Sequence, residues 1–372
     1  GEVMTSVFSR RRIVTLLVAL VTLTALLAGP AQAKFKSKRE LTVMSQNLYL
    51  GASLAPAIEL AFHPSPTAEQ FVTAVATIYG EALSTDFPAR SKAIAAEIAA
   101  TRPDIIGLQE VSNWTVLAGP GTPVGFVPPV PSLDFLTILM GDLAVAGLDY
   151  SVAAVSHNAS LGPFPLALCD VTNPFACLVH FQDRDVILVS NDTPGLAVSN
   201  SASGRYSAQV VLDLLGQELS FDRGWAFIDG TFEGKKFRFL NTHLETEDFA
   251  AVQETQAAEF LAGPADAPGA VIAVGDFNSA ADGTSTASYG MLTSSFDDAW
   301  RANRQAPGFT CCQASDLANK KSELSSRIDL VLTRDVARSW PAHLVLNKRF
   351  QKQSAPFWAS DHAGVLAVIQ IG

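Results

Sequence analysis

Ala270-Val271-Ile272-Ala273-Val274 is an apolar run without alternation, and the polar phrase Gly275-Asp276-Phe277-Asn278-Ser279 follows it directly. A run of this length reads as a strand buried on both faces, so the chain has to supply a layer on each side of it. Polarity then switches abruptly. On a strand, the two-residue spacing puts Asp276 and Asn278 on one face and Phe277 on the other. A carboxylate beside a carboxamide at a strand end suits a hard cation or a phosphate better than it suits packing.

The pattern recurs along the chain. Leu41-Thr42-Val43-Met44 runs into Gln46-Asn47, and Asp104-Ile105-Ile106-Gly107-Leu108 runs into Gln109-Glu110. Phe237 to Asn241 runs into Thr242-His243-Leu244-Glu245, and Arg327 to Leu332 precedes a later Ser360-Asp361-His362. A single polar strand end carries little information, because every strand meets solvent somewhere. Five such ends with an Asp-His pair, all oxygen and imidazole chemistry, point to one shared site.

In this order the motifs resemble the endonuclease/exonuclease/phosphatase superfamily. Its members include deoxyribonuclease I, exonuclease III, the neutral sphingomyelinases and the inositol polyphosphate 5-phosphatases. The resemblance covers roughly residues 41–370, and its specificity lies in the ordered set rather than in any one motif. The alternation of strand and helix patterns suggests an α/β (α+β) fold, a two-sheet sandwich covered by helices. The resemblance implies the same thing, a four-layer sandwich of two packed mixed sheets flanked by helices.

The first 33 residues read as a targeting segment. Arg10-Arg11-Arg12 precedes the apolar stretch Ile13 to Ala28, and Ala31-Gln32-Ala33 supplies a small-x-small cleavage pattern. Ser9 to Val14 resembles a twin-arginine signal, and an ordinary secretory signal with one extra arginine fits the same residues. A retained anchor fits less well, since the stretch falls short of about 18 apolar residues. The expectation is a secreted or envelope-associated protein in which residues 34–372 form one catalytic domain. The formal net charge is −10, and it becomes more acidic once the arginine run is removed. Such a chain gains little from electrostatic steering toward nucleic acid.

Export makes disulfides admissible. Cys169 and Cys177 enclose a short loop containing Asn173-Pro174, and a bridge between them is expected. Cys311 and Cys312 are adjacent. A bridge between them would strain the intervening peptide, leaving free buried thiols or pairing elsewhere as the alternatives. No Cys-x-x-Cys occurs, so neither a thiolate zinc site nor a redox motif is supported.

Strand-like runs fall near 41–48, 104–108, 185–190, 225–232, 236–244, 270–276, 327–333 and 364–371. Trp225 to Leu244 reads as a hairpin turning at Glu233-Gly234-Lys235. Helical patterns cover Thr67 to Leu83, Pro88 to Ala100, and Phe249 to Leu261 with Asp248 as its cap. Ala118 to Pro131 and Leu161 to Leu178 read as Pro-punctuated surface loops.

Glu110, Asp276, Asp329 and Asp361 cannot converge in one pocket as bare carboxylates, because like charges raise each other's pKa. A divalent cation removes the conflict, and all-oxygen ligands favour Mg²⁺, Mn²⁺ or Ca²⁺ over zinc. By resemblance, Glu110 is the principal metal ligand, with Asn47 beside it and Asp361 in support. His362 is the candidate general base. The resemblance gives Asp329 as the carboxylate that orients it, and Asp276 and Asn278 then position the attacking water and the phosphate. An imidazolium at His243 would assist the leaving oxygen, as the deoxyribonuclease and sphingomyelinase branches imply. The family also implies phosphate contact from Arg184 or Asp185.

Together these residues describe a metal-dependent phosphoesterase in which water attacks phosphorus directly. No Gly-x-Ser-x-Gly elbow or Walker loop is present to support a serine hydrolase or a nucleotide motor. The alternatives are a secreted nuclease and a catalytically silent binding module on the same scaffold. Lys/Arg clusters near the motifs are confined to Lys235-Lys236 and Lys320-Lys321. Two apolar loops carry Phe126, Val127 and Val130, and Phe164, Leu166 and Phe175. If exposed, they would meet a lipid interface, and if packed on the body they would not. A phospholipid or other small phosphodiester is therefore expected over duplex DNA, acted on by a monomer.

Overall fold

The computed structural model describes residues 40–170, 172–302 and 307–372. Residues 1–33, expected to form a targeting segment, lie outside them. Two large sheets dominate the described part. In the nine-stranded sheet, Glu40–Asn47 lies between Gly364–Gln370, which is antiparallel to it, and Ile105–Gln109, which is parallel. Cys177–Ser190 follows and pairs with Ile105–Gln109, Asn113–Ala118 and Tyr150–Pro165. The six-stranded sheet runs Asp297–Asp298, Asp329–Arg334, Ala270–Asp276, Lys235–His243, Gly224–Phe232, Leu196–Arg205. A separate two-strand ribbon joins Val210–Leu214 to Gln217–Phe221.

The layers explain why the central strands lack alternation. Val43, Ile105, Ile187, Ile272, Val274 and Val331 interleave between the sheets. Their neighbours Met44, Ile106 and Leu188 meet helices Ala68–Ser84, Phe87–Thr101 and Phe135–Val145. On the far side Val271, Ala273, Leu330 and Leu332 meet Ala257 and Phe260 of helix Ala250–Ala262. Each strand thus buries both faces, and each large aliphatic side chain contributes roughly 1.5–3 kcal/mol. The helix–sheet–sheet–helix order is the expected four-layer sandwich.

At the site end the sheets approach so closely that glycine is required. A Cβ at Gly107 would strike Val274 and Asn241, and one at Gly275 would strike the Thr242 carbonyl of the adjacent strand. Asn241 and Gln109 tie the sheets together: Gln109 Nε2 donates to Asn241 Oδ1 (2.6 Å), and Asn241 Nδ2 donates to the Leu108 carbonyl (2.8 Å).

The predicted strands and helices are present with shifts of a few residues at their ends, except that the strand expected at 185–190 starts eight residues earlier, at Cys177. The Glu233-Gly234 turn has φ +48° and +76°, the left-handed pair that a two-residue hairpin needs. Two of these expectations are corrected. Asp248 does not cap its helix. It lies in the short 3₁₀ turn Glu247–Phe249, and Phe249 takes the cap position without a side-chain bond. Leu161 to Leu178 is not one surface loop, because the strand Tyr150–Pro165 runs into it as far as Pro165, the next strand starts at Cys177, and Leu166 is fully buried. The last of its three register shifts, between Leu161 and Phe164, lets that strand accommodate Gly162-Pro163.

Cys169 and Cys177 are bonded, with Cα atoms 5.9 Å apart. Cys311 and Cys312 are bonded to each other rather than free, and Cys312 is exposed. Among the described residues no helix is long and apolar enough to cross a membrane.

Candidate active site

The strand register brings the polar strand ends together. His243, Asp276 and Asp329 stand side by side on three neighbouring strands of the six-stranded sheet. Asn47 pairs with Gln109 at the end of the other sheet, Glu110 follows, and Ser360-Asp361-His362 leads into Gly364–Gln370. Phe277 turns into the core, and Asn278 folds back so that its N–H reaches Asp276 Oδ1 at 2.9 Å. Tyr49, Glu110 and Asn278 have φ of +64°, +55° and +48°. Left-handed backbone of this kind in side-chain-bearing residues concentrates at functional sites.

His362 Nδ1 lies 2.8 Å from Asp329 Oδ2, and its Nε2 lies 3.8 Å from Asp276 Oδ2 and 3.9 Å from Asp361 Oδ1. Asn47 Nδ2 donates to Asp276 Oδ2 at 3.1 Å. Glu110 Oε2 accepts from the Leu50 N–H at 2.6 Å. Behind this wall the fully buried Arg90 donates to the carbonyls of Leu48 and Ala359, pinning the two loops that carry Asn47 and Asp361. On the opposite wall His243 Nε2 sits 3.6 Å from Asp276 Oδ2 and 3.1 Å from Asn278 Nδ2.

The family model described as the endonuclease/exonuclease/phosphatase family matches residues 78–362. The chain belongs to this family. Its members are metal-dependent phosphoester hydrolases. Solved family structures share the fold. That from Leptotrichia buccalis C-1013-b is 14% identical, with a TM-score of 0.52 over 89% of this chain and 100% of its own. That from Bacteroides thetaiotaomicron is 16% identical, with a TM-score of 0.52 over 90% and 95%. That from Beutenbergia cavernae DSM 12333 is 19% identical, with a TM-score of 0.51 over 90% and 72%. Identities this low speak to the fold alone. No curated protein matches the chain.

The acid-rich site of this family member fits a hard cation. Burial, then Asp361, pushes Glu110 up to about 8, and burial, then Asp329, pushes Asp276 up to about 6. Burial also raises Asp361. The buried oxygens Asp183 Oδ1, Glu245 Oε2 and Asp329 Oδ1 have no hydrogen-bond partner among the described residues. Carboxylates held this reluctantly fit a divalent cation, and the ligand atoms of Asp276, Asp329 and His362 lie within 4.8 Å of one another, as do those of Asp183, Asp185 and His243.

The two histidines differ in charge. Burial pulls the His362 pKa down, but Asp329, Asp361 and Asp276 outweigh it and hold the ring well above the usual imidazole value. Burial, Arg223 and His362 hold His243 well below it. The imidazolium expected at His243 is therefore corrected to a neutral ring, and the fixed positive charge beside it belongs to Arg223. Arg223 Nη1 lies 2.9 Å from His243 Nδ1 and 4.0 Å from Asp183 Oδ2, and its Nη2 lies 3.4 Å from Glu245 Oε1.

Sequence reasoning missed Arg223. The available signal was Asp222-Arg223-Gly224, placed directly before the strand that pairs with the His243 strand. Arg184 is also corrected. It points away from the site, donating to the Val111 carbonyl (2.9 Å) and pairing with Asp134 (2.5 Å). Strand alternation puts Asp183 and Asp185 on the other face, toward Arg223, and Asp185 is fully buried there rather than open to a phosphate. Cys312 Sγ lies 3.9 Å from His362 Nε2, another neighbour the motifs did not disclose.

Proposed function

We propose that the protein is an exported phosphodiesterase that hydrolyses a phospholipid or other small phosphodiester by direct attack of water. The observation that supports it best is the buried His362–Asp329 pair, 2.8 Å apart, facing Asp276 and the Glu110 wall. In this reading Asp329 accepts the Nδ1–H of His362 and fixes its tautomer. Nε2, once deprotonated, takes a proton from a water oriented by Asp276 and Asn278. Arg223, beside neutral His243, faces the phosphoryl oxygens as the donor, so charge developing on them meets a preorganised guanidinium. A divalent cation held by Glu110, Asn47 and Asp361 would supply Lewis acidity at a phosphoryl oxygen.

Export is supported by the Arg10–Ala33 pattern and by the Cys169–Cys177 bridge. Val127 and Phe175 project into solvent from the two apolar loops, which supports a lipid interface. Phe126, Val130 and Phe164 instead pack against the core, and Leu166 is buried, so only part of each loop is available.

The test is a panel with Mg²⁺: plasmid DNA, RNA, sphingomyelin, phosphatidylcholine, inositol phosphates and bis-p-nitrophenyl phosphate. Lipid phosphodiester hydrolysis is expected. Cleavage of plasmid DNA with no lipid hydrolysis would overturn the substrate assignment, and inertness toward every member would overturn the enzymatic one.

A further inference from the structure

Residues 310–313 are strapped to both segments that deliver the His362–Asp329 pair. Thr310 Oγ1 accepts from the N–H groups of Ile328 and Asp329 (3.1 Å each), and the Thr310 carbonyl accepts from the Ala363 N–H (2.8 Å). The Gln313 N–H donates to the Asp361 carbonyl (2.9 Å), and Cys311 exchanges main-chain bonds with Ser326 (3.0 Å each way). None of these bonds passes through a sulfur atom. The strap therefore keeps its place against His362 whether or not Cys311 and Cys312 are bonded to each other.

Cys311 on this strap is buried and Cys312 is exposed. Their ligand atoms and that of His362 lie within 4.8 Å of one another. Two adjacent residues supply the sulfurs and a residue fifty positions on supplies the nitrogen, so no short spacing in the sequence marks the group. Cys312 Sγ lies 3.9 Å from Nε2, the ring nitrogen that Asp329 leaves free. Asp276 Oδ2 and Asp361 Oδ1 stand around the same nitrogen at 3.8 and 3.9 Å, beyond hydrogen-bond range. Such separations approach those of ligands sharing one tetrahedral ion, since a Zn–S distance of about 2.3 Å and a Zn–N distance of about 2.0 Å put sulfur and nitrogen about 3.5 Å apart. While the two sulfurs are bonded to each other, neither is a thiolate, and thiolates are what a metal binds. In that state Nε2 stays open to water.

We propose that Cys311, Cys312 and His362 form an inhibitory site for a thiophilic divalent ion such as Zn²⁺, and that reduction of the Cys311–Cys312 bond opens it. A reducing dithiol supplies two electrons and two protons, closes to its own disulfide, and leaves Cys311 and Cys312 as thiols. The ion then takes both sulfurs as thiolates, releasing their two protons to solvent, and takes Nε2 as its nitrogen ligand. Sulfur ligands select the zinc class over Mg²⁺ or Ca²⁺, so the site does not compete for the cation at Glu110. The lone pair that would remove a proton from water is then occupied. Binding at this group is independent of the phosphodiesterase reading, whereas its effect on turnover rests on His362 acting as the base.

The experiment uses the full chain in saturating Mg²⁺, before and after treatment with a phosphine reductant. Binding is read with Co²⁺, whose charge-transfer absorption reports thiolate ligation directly and needs no turnover. The band is expected only after reduction. It should be lost when Cys311→Ser and Cys312→Ser are combined, and any band left in that variant belongs to reduced Cys169 and Cys177. His362→Ala should weaken Co²⁺ binding by at least about tenfold, as loss of one ligand of three requires. Inhibition is read as the Zn²⁺ concentration that halves turnover of bis-p-nitrophenyl phosphate. Reduction should lower it by at least about tenfold in the wild type and by less than about twofold in Cys312→Ser, a substitution at an exposed position that serves if the double variant melts early. No cobalt–thiolate band in the reduced protein, or one that the double variant retains in full, overturns the site. Equal Zn²⁺ sensitivity before and after reduction places the ion on the carboxylates instead and also overturns it. A band that appears as expected while turnover is unaffected keeps the site and overturns the role of His362 as base.

Discussion

Arg223 is the one arginine shared by Asp183, Glu245 and His243, and replacing it with methionine keeps most of the volume while removing the charge. Burial raises the Asp183 carboxyl above its usual range even though Arg223 draws it down. Removing one partner of a buried charge cluster costs about 3–5 kcal/mol. With an unfolding entropy near 2.1 cal/mol/K per residue over roughly 330 residues, that corresponds to a melting temperature about 4–7 °C lower. The sign of the pH dependence follows from the direction of the shift. An acid whose folded pKa lies above its unfolded value contributes stability that is intact below the unfolded value and lost as pH rises through the folded one. Without Arg223 the folded value rises further. His243, freed from the neighbouring charge, can also protonate in acid and take over as the counter-charge. Both effects make Arg223→Met more destabilising at pH 8 than at pH 5. The assay is thermal denaturation at the two pH values in chelator, so that no bound cation stands in for the guanidinium. Adding Asp183→Asn should recover part of the loss, with a coupling of about 1–3 kcal/mol. Equal losses at both pH values, or an Asp183→Asn loss that simply adds, would refute the charge-sharing argument.

Activity on any phosphoester should vanish in EDTA and return with Mg²⁺ or Mn²⁺, and Glu110→Ala should weaken the metal dependence without a large change in melting temperature; full activity in chelator refutes the metal assignment. His362→Ala and Asp276→Asn should each lower turnover by about two or more orders of magnitude, and near wild-type turnover in His362→Ala would place the base elsewhere. Because its acidic neighbours raise His362, kcat/KM should still be climbing above pH 7, and Asp329→Asn should move that limb to lower pH while lowering the plateau; a wild-type limb below pH 6 contradicts this. Mass mapping of the non-reduced protein should recover the Cys169 and Cys177 peptides linked, and two free thiols would count against the bridge.

What the sequence disclosed and what it hid have physical reasons. Asp276, Asn47, Glu110 and His362 stood out because each interrupts or follows an apolar run that is buried on both faces, where a polar group is conspicuous. Arg223 did not, because Asp222-Arg223-Gly224 looks like any solvated turn, and its burial depends on Asp183 and Glu245 arriving from distant segments. Asp183-Arg184-Asp185 held its own answer in the alternation of a strand, which separates the arginine from the two acids. The long hairpin arm was hidden for another reason. Gly162-Pro163 and the bulges beside it break the period-two pattern, so the end of the strand Tyr150–Pro165 reads as a loop.

The charge balance of the site bears on what it accepts. Glu110, Asp183, Asp185, Glu245, Asp276, Asp329 and Asp361 face Arg223, Arg90 and the raised His362, and a divalent cation still leaves acid in excess. A phosphodiester brings a single negative charge into this field, whereas a terminal phosphate brings nearly two at neutral pH. A nucleic acid brings a row of charges that must be matched by lysines and arginines along its path. Lys235 and Lys236 cannot supply them, because they occupy the far end of the strand that delivers His243, eight residues or about 26 Å away. Lys320 and Lys321 are nearer, on the exposed loop whose Gln313 N–H donates to the Asp361 carbonyl. One pair of exposed lysines suits a single phosphate group better than a backbone.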